Sequence, residues 1–137
     1  MAFKIRKVEY FTTTVQDRPG EAYKLLSVLE DLGLNLVAFT AVPVGPDTTQ
    51  LTLFPEDPSK MKGEAQKAGM ALDGPHRALL VQGDDELGAL AVVHERIYKT
   101  GVNVYASNAV SDGLGKYGYL IYVRPEDYER AAKALEV

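Results

Sequence analysis

Apolar positions change their period several times along the chain, and each change marks an element. Residues 7–15 and 77–81 are dense in β-branched and aromatic side chains, as strands are. Ala22, Leu25, Leu26, Leu29 and Leu32 then recur at the spacing of one helix face, and Ala89, Val92, Val93 and Ile97 repeat that stripe further on. Pro19 suits a first helical turn, where a missing N–H costs little. Gly33 and Gly101 suit the position just past a helix end, where positive φ is cheap for glycine. Strands are expected over 35–44 and 103–110, polar turns over 45–49 and 111–116, and third strands over 50–54 and 117–123. Pro58 and Pro125 open second helices, with Met61, Ala65 and Ala68 inward in one and Tyr128, Ala131, Ala132 and Leu135 inward in the other. The order is βαββα, twice.

The repetition extends to individual residues. At an offset of 68, Asp17 falls on Asp85, Gly20 on Gly88, Gly33 on Gly101, Asn35 on Asn103, Ala38 on Ala106, Ala41 on Ala109, Val42 on Val110 and Gly45 on Gly113. The pattern predicts an α+β chain of two tandem ferredoxin-like units, residues 1–72 and 73–137, with antiparallel sheets and helices on one face. Such a unit closes with a fourth strand. Residues 70–72 are expected to supply it for the first copy. The second copy ends directly after its helix, and the N-terminal segment 2–6, with Phe3 and Ile5 alternating with basic residues before Val8, is expected to fill its slot.

Composition narrows the function. The 137 residues carry a net charge of −4, and neither half has the basic footprint that a phosphate backbone requires, so no nucleic-acid partner is expected. There is no cysteine, which removes disulfides, thiolate nucleophiles and cysteine metal sites. No apolar run approaches the ~18 residues of a membrane span and the N-terminus has no signal-peptide core, so a cytoplasmic protein without a membrane partner is expected. Gly113, Gly115 and Gly118 spell a dinucleotide fingerprint, but strand follows where a helix is needed. Residues 116–122 approximate an RNA-stacking strand, but residues 78–81 on the partner strand offer no aromatic. His76 and His94 stand apart without a carboxylate cluster, and no nucleophile elbow occurs, so neither a metal, a cofactor nor an enzymatic activity is expected. Among the tyrosines, Tyr105 and Tyr119 are candidates to line a pocket or interface.

At the start of the first helix the sequence reads Asp17-Arg18-Pro19-Gly20, and after it Gly33-Leu34-Asn35-Leu36. This resembles the ACT domain, the amino-acid-sensing unit attached to many enzymes of amino-acid metabolism. The second copy keeps the acid, the glycine and the spacing in Asp85-Glu86-Leu87-Gly88 but lacks the proline. Its Gly101-Val102-Asn103-Val104 matches the family's pattern after the helix, and residues 118–122 look like its third strand. The resemblance covers nearly the whole chain as two tandem copies. It implies ligand-binding positions at Gln16, Asp17, Arg18, Pro19, Gly20 and Asn35 in the first copy, and at Asp84, Asp85, Gly88 and Asn103 in the second. Serine-sensing members carry Asn where Asp17 and Asp85 stand and His two residues earlier, where this chain has Val15 and Gly83, so no ligand identity carries over.

The chemistry at those positions suits an amino acid. A carboxylate accepts hydrogen bonds from an ammonium group, an amide side chain donates and accepts, and free N–H groups at a helix start take a carboxylate. The plainer reading makes Asp17 and Asp85 helix caps and gives Asn35 and Asn103 turn duty. The function expected is a non-catalytic regulatory module that binds an amino acid or related metabolite, forms a homodimer, and acts on an enzyme or regulator of amino-acid metabolism. The alternative is a structural or protein-interaction module whose ligand site is not used.

Overall fold

The computed structural model describes residues 3–137. Its elements run β1 (Phe3–Gln16), α1 (Glu21–Asp31), β2 (Leu36–Pro43), β3 (Thr48–Pro55), α2 (Pro58–Lys67), β4 (Asp73–Asp84), α3 (Ala89–Tyr98), β5 (Ala106–Ser111), β6 (Lys116–Tyr122), a 3-10 turn (Pro125–Asp127) and α4 (Tyr128–Ala134). The architecture is α+β. Contacts divide the chain into residues 9–76 and residues 77–137 joined by 3–8, so β1 and β4 each give one part to each unit. The division falls after His76, where the sequence pattern marked residue 72. Ala2, part of the expected segment 2–6, lies outside the described residues.

In residues 9–76 the strand order is β2-β3-β1-β4. The ladder of β1 and β3 is antiparallel, running from Phe11 opposite Leu53 to Gln16 opposite Thr48, and β2 pairs antiparallel with the other edge of β3. Period-two alternation sends Phe11, Leu51 and Leu53 to one side, where they meet Leu29, Leu34 and Met61 in a closed core. Of the helix stripe read from the sequence, Leu29 is fully buried while Leu25, Leu26 and Leu32 pack at the margin. Ala68 is exposed rather than inward, because α2 stops at Lys67 and Gly69 turns the chain away at φ 70°. The fourth strand is formed by residues 73–76, not 70–72; Met70 and Leu72 lie before it and pack against the core.

In the other unit the order is β1-β4-β6-β5, with β4/β6 and β5/β6 antiparallel. Leu79, Val81, Tyr117, Tyr119 and Ile121 face Val93, Ile97, Tyr128, Ala131 and Leu135, and Phe3 and Ile5 pack against the same cluster. The inward residues expected for α4 are therefore buried as read. Pro125 opens a 3-10 turn, and α4 itself starts at Tyr128. β5 begins at Ala106 rather than at residue 103. Val102 is buried, and the first backbone bond to β6 is made by the Tyr105 N–H to the Tyr122 carbonyl at 3.2 Å.

Candidate ligand-binding site

The start of each first helix is built the same way. Gly20 and Gly88 occupy the N-cap with φ 86° and 80°, in the left-handed region where glycine is at ease, and neither α1 nor α3 has a side-chain cap. Pro19 therefore lies before the helix, not in its first turn, and Asp17 and Asp85 sit three residues ahead of the cap, too early to serve as one. The capping explanation of the two aspartates is thereby overturned. Their backbones instead fasten the loop: the Asp17 N–H donates to the Asp47 carbonyl and the Asp85 N–H to the Gly115 carbonyl, each at 2.9 Å.

The register separates the residues that the sequence grouped. Asp17 follows Gln16, which pairs with Thr48, whereas Asn35 precedes Leu36, which pairs with Pro55. Those rungs are seven residue steps apart along β3, about 24 Å at the rise of an antiparallel strand. Asn35 spends its amide on the Glu56 carboxylate at 2.9 Å, and its carbonyl accepts from the Glu56 N–H at 2.8 Å. Likewise Asp85 follows the Asp84–Lys116 rung and Asn103 precedes the Ala106–Tyr122 rung, at opposite ends of β6. Within one unit, then, neither aspartate meets its asparagine. Arg18 folds onto Glu21, its Nε donating to Oε1 at 3.0 Å. Asp84 pairs with Lys116, and Asn103 is exposed ahead of β5.

One arm of the expected set does open onto a cavity. A cleft of about 540 Å³ is lined by the chain from Asp85 through the first turn of α3, by Ala109, Val110 and Ser111 of β5, and by Tyr117 of β6. Asp85 is held at its mouth by the Ser111 hydroxyl, which donates to Oδ2 at 3.0 Å. The backbone N–H groups of Leu90 and Ala91 belong to the unsatisfied first turn of a helix and find no acceptor among the described residues. The Tyr117 ring is only 8% exposed, and its hydroxyl is buried with no hydrogen-bond partner among the described residues. Burial, followed by the charges of Asp84 and Glu86, pushes this phenol up, so it stays a donor at neutral pH. The cleft thus brings together two unused helix N–H groups, a buried phenol and one carboxylate held by Ser111.

Sequence reasoning found Asp85 and Gly88 of this cleft but missed Tyr117, Ser111 and the β5 wall. The tyrosines it singled out do other work: Tyr119 is buried with its hydroxyl on His94 Nε2, and Tyr105 is exposed and outside the cleft. The missing signal was register. Tyr117 lies opposite Ser111, and only pairing tells which tyrosine of β6 faces the start of α3. His76 bonds Asp73 at 2.9 Å. Among the described residues no group of three or more His, Asp or Glu is arranged to hold a metal, and no helix is long and apolar enough to cross a membrane.

No protein-family model and no curated protein matches the sequence. Solved structures do match. A protein of Bacteroides thetaiotaomicron superposes with a TM-score of 0.79 at 17% identity, over 96% of this chain and 88% of the other. The regulatory subunit of aspartate kinase from Thermus thermophilus gives 0.64 at 17% identity, over 98% and 95%. Its counterpart from Thermus flavus gives 0.60 at 16%, over 98% and 93%. The chain has an ACT-type fold. At these identities the likeness establishes the fold alone, and the two Thermus structures carrying it are regulatory subunits.

Proposed function

We propose that this chain is a tandem pair of ACT-type units, residues 9–76 and residues 77–137 completed by the strand at 3–8, that binds a small amino acid or related metabolite and regulates a partner without catalysing a reaction. The carrying observation is the cleft at the start of α3, which Asp85 lines together with the unused Leu90 and Ala91 N–H groups and Tyr117, whose buried hydroxyl has no partner among the described residues. The donors suit a ligand carboxylate and Asp85 its ammonium. The fold shared with regulatory subunits of aspartate kinase supports a sensing role, and that support is by analogy. The regulated partner would be an enzyme or regulator of amino-acid metabolism. β5, exposed along all six residues at one edge of its unit, suits a homodimer interface.

A second reading has one observation in its favour. Leu87 and Val110 of the cleft lining, and Leu114 of the turn between β5 and β6, stand exposed, as they would on a protein-interaction surface. Melting curves of dialysed protein with each of the twenty amino acids separate the two. A ligand at ~100 times its Kd adds about 2.7 kcal/mol, several degrees for a chain of this size. The sensor reading expects such a shift from at least one amino acid, its loss in Asp85→Ala, and a mass by light scattering of twice 15.0 kDa in both proteins. Twenty flat curves with the dimer intact would leave the interaction module.

A further inference from the structure

The duplication makes the two helix starts comparable residue by residue, and they differ where it matters. The ladders correspond: Val15 pairs with Thr49 and Pro43 with Thr49 in one unit, Gly83 with Tyr117 and Ser111 with Tyr117 in the other. The phenol of the second unit is therefore replaced by Thr49 in the first. Pro43, having no hydroxyl, stands where Ser111 holds Asp85. At the first helical position α1 has Glu21 and α3 has Ala89. The Glu21 carboxylate, 17% exposed, is tied to Arg18 and sits in the first turn of α1, where a negative charge satisfies the helix dipole from within. α3 has no acid in its first turn; Arg18 is replaced by Glu86, and the helix start is left without an internal anion.

We propose that each chain binds one amino acid, at the start of α3 only, and that this ligand is a zwitterion with an uncharged aliphatic side chain. The inference rests on the amino-acid-sensing reading above. The Leu90 and Ala91 N–H groups and the Tyr117 hydroxyl take the ligand carboxylate, while Asp85 takes the ammonium. What remains for the side chain is a wall of Leu90, Ala109 and Val110. Among the described residues, the charged groups lining the cleft are the carboxylates of Asp85 and Glu86, so an acidic ligand side chain meets like charge. The α1 site is silent because Glu21 already supplies its anion.

Titration calorimetry of the full chain, with L-valine and L-leucine as probes and L-glutamate as counter-probe, tests this. The expected result is one site per chain and at least tenfold weaker binding of glutamate. Tyr117→Phe, which keeps the ring, should weaken the aliphatic probe about tenfold or more, since a hydrogen bond to a charged group is lost. Leu90→Glu, at a partly exposed position, should abolish binding by placing an acid in the first turn of α3, whereas Leu90→Gln, which trims the apolar wall without adding charge, should weaken it only several-fold. Glu21→Gln should leave the first-site isotherm unchanged. Two sites per chain, glutamate binding as tightly as leucine, or wild-type affinity in both Tyr117→Phe and Leu90→Glu would overturn the proposal. No binding of either aliphatic probe, with a melting shift from another amino acid, would overturn this inference and spare the sensing reading; silence towards all twenty overturns both.

Discussion

The Tyr117 hydroxyl is the residue whose chemistry is least at rest. A buried phenol without a partner costs on the order of 1–3 kcal/mol relative to one that is satisfied, and nothing in the core requires it. Tyr117→Phe is therefore expected to be neutral or to stabilise the ligand-free chain by up to about 1 kcal/mol in urea unfolding. A loss of more than about 1 kcal/mol would mean that the hydroxyl is satisfied and is not waiting for a ligand. Tyr128 is the contrast: its hydroxyl donates to the Ala78 carbonyl at 3.0 Å and the Arg77 guanidinium lies 4.1 Å from its ring centre. Both tyrosines looked alike in sequence. Composition marks a tyrosine as inward, but only its neighbours decide whether its oxygen is spent.

At the scale of elements, the sequence disclosed most where backbone chemistry is stereotyped. Gly33 was read as the residue past α1, and the structure adds the rest of the motif: its N–H reaches the Glu30 carbonyl at 3.0 Å and the Leu34 N–H reaches Leu29 at 2.9 Å. The helix starts were misread for a related reason. A glycine N-cap in the left-handed region has no side-chain signature, so the nearby aspartates attracted the capping role. Strand ends were misread where pairing, not propensity, sets them, as at Ala106 and Asp73. Gly74 is the sharpest test of that ladder. Its φ is 142°, and an added Cβ would lie 2.8 Å from the Tyr10 carbonyl oxygen and 3.0 Å from the Phe11 ring. Gly74→Ala should destabilise by roughly 2 kcal/mol or more, visible as a lower urea midpoint with the same m-value. An unchanged midpoint would contradict the placement of residues 73–76 beside β1.

Over the whole molecule the repeated order of elements was legible because glycines and an asparagine recur at one offset, yet the division by contacts was not. β4 runs unbroken from Asp73 to Asp84 through that division, so no linker composition marks it. The site was half legible for the same physical reason that the strands were: Asp85 and Gly88 belong to a loop motif, whereas Tyr117 and Ser111 join it only through register. Charge gives a property of the whole chain. Hydrogen bonding from Arg18 holds the Glu21 carboxyl below its ordinary 4.5, that from Arg77 followed by the charge of Lys7 does the same for Glu129, and the Leu114 and Lys116 N–H groups hold Asp112 below 3.8. Each group binds fewer protons folded than unfolded, so its contribution is present above the ordinary value and lost as pH falls through the folded one. The melting temperature should hold from pH 7 to about 5 and decline steadily below about 4.5. A chain that grows more stable between pH 5 and 3 would refute these assignments.

The claim on which the account turns is that an amino acid occupies the start of α3, and amide hydrogen exchange reads that place directly. The chain would be compared alone and in a mixture of the twenty amino acids. Binding predicts slower exchange at Leu90 and Ala91 and across residues 109–117, with the α1 start unaltered. Identical exchange throughout would contradict the sensing function, and protection confined to residues 17–23 would move the site to the first unit.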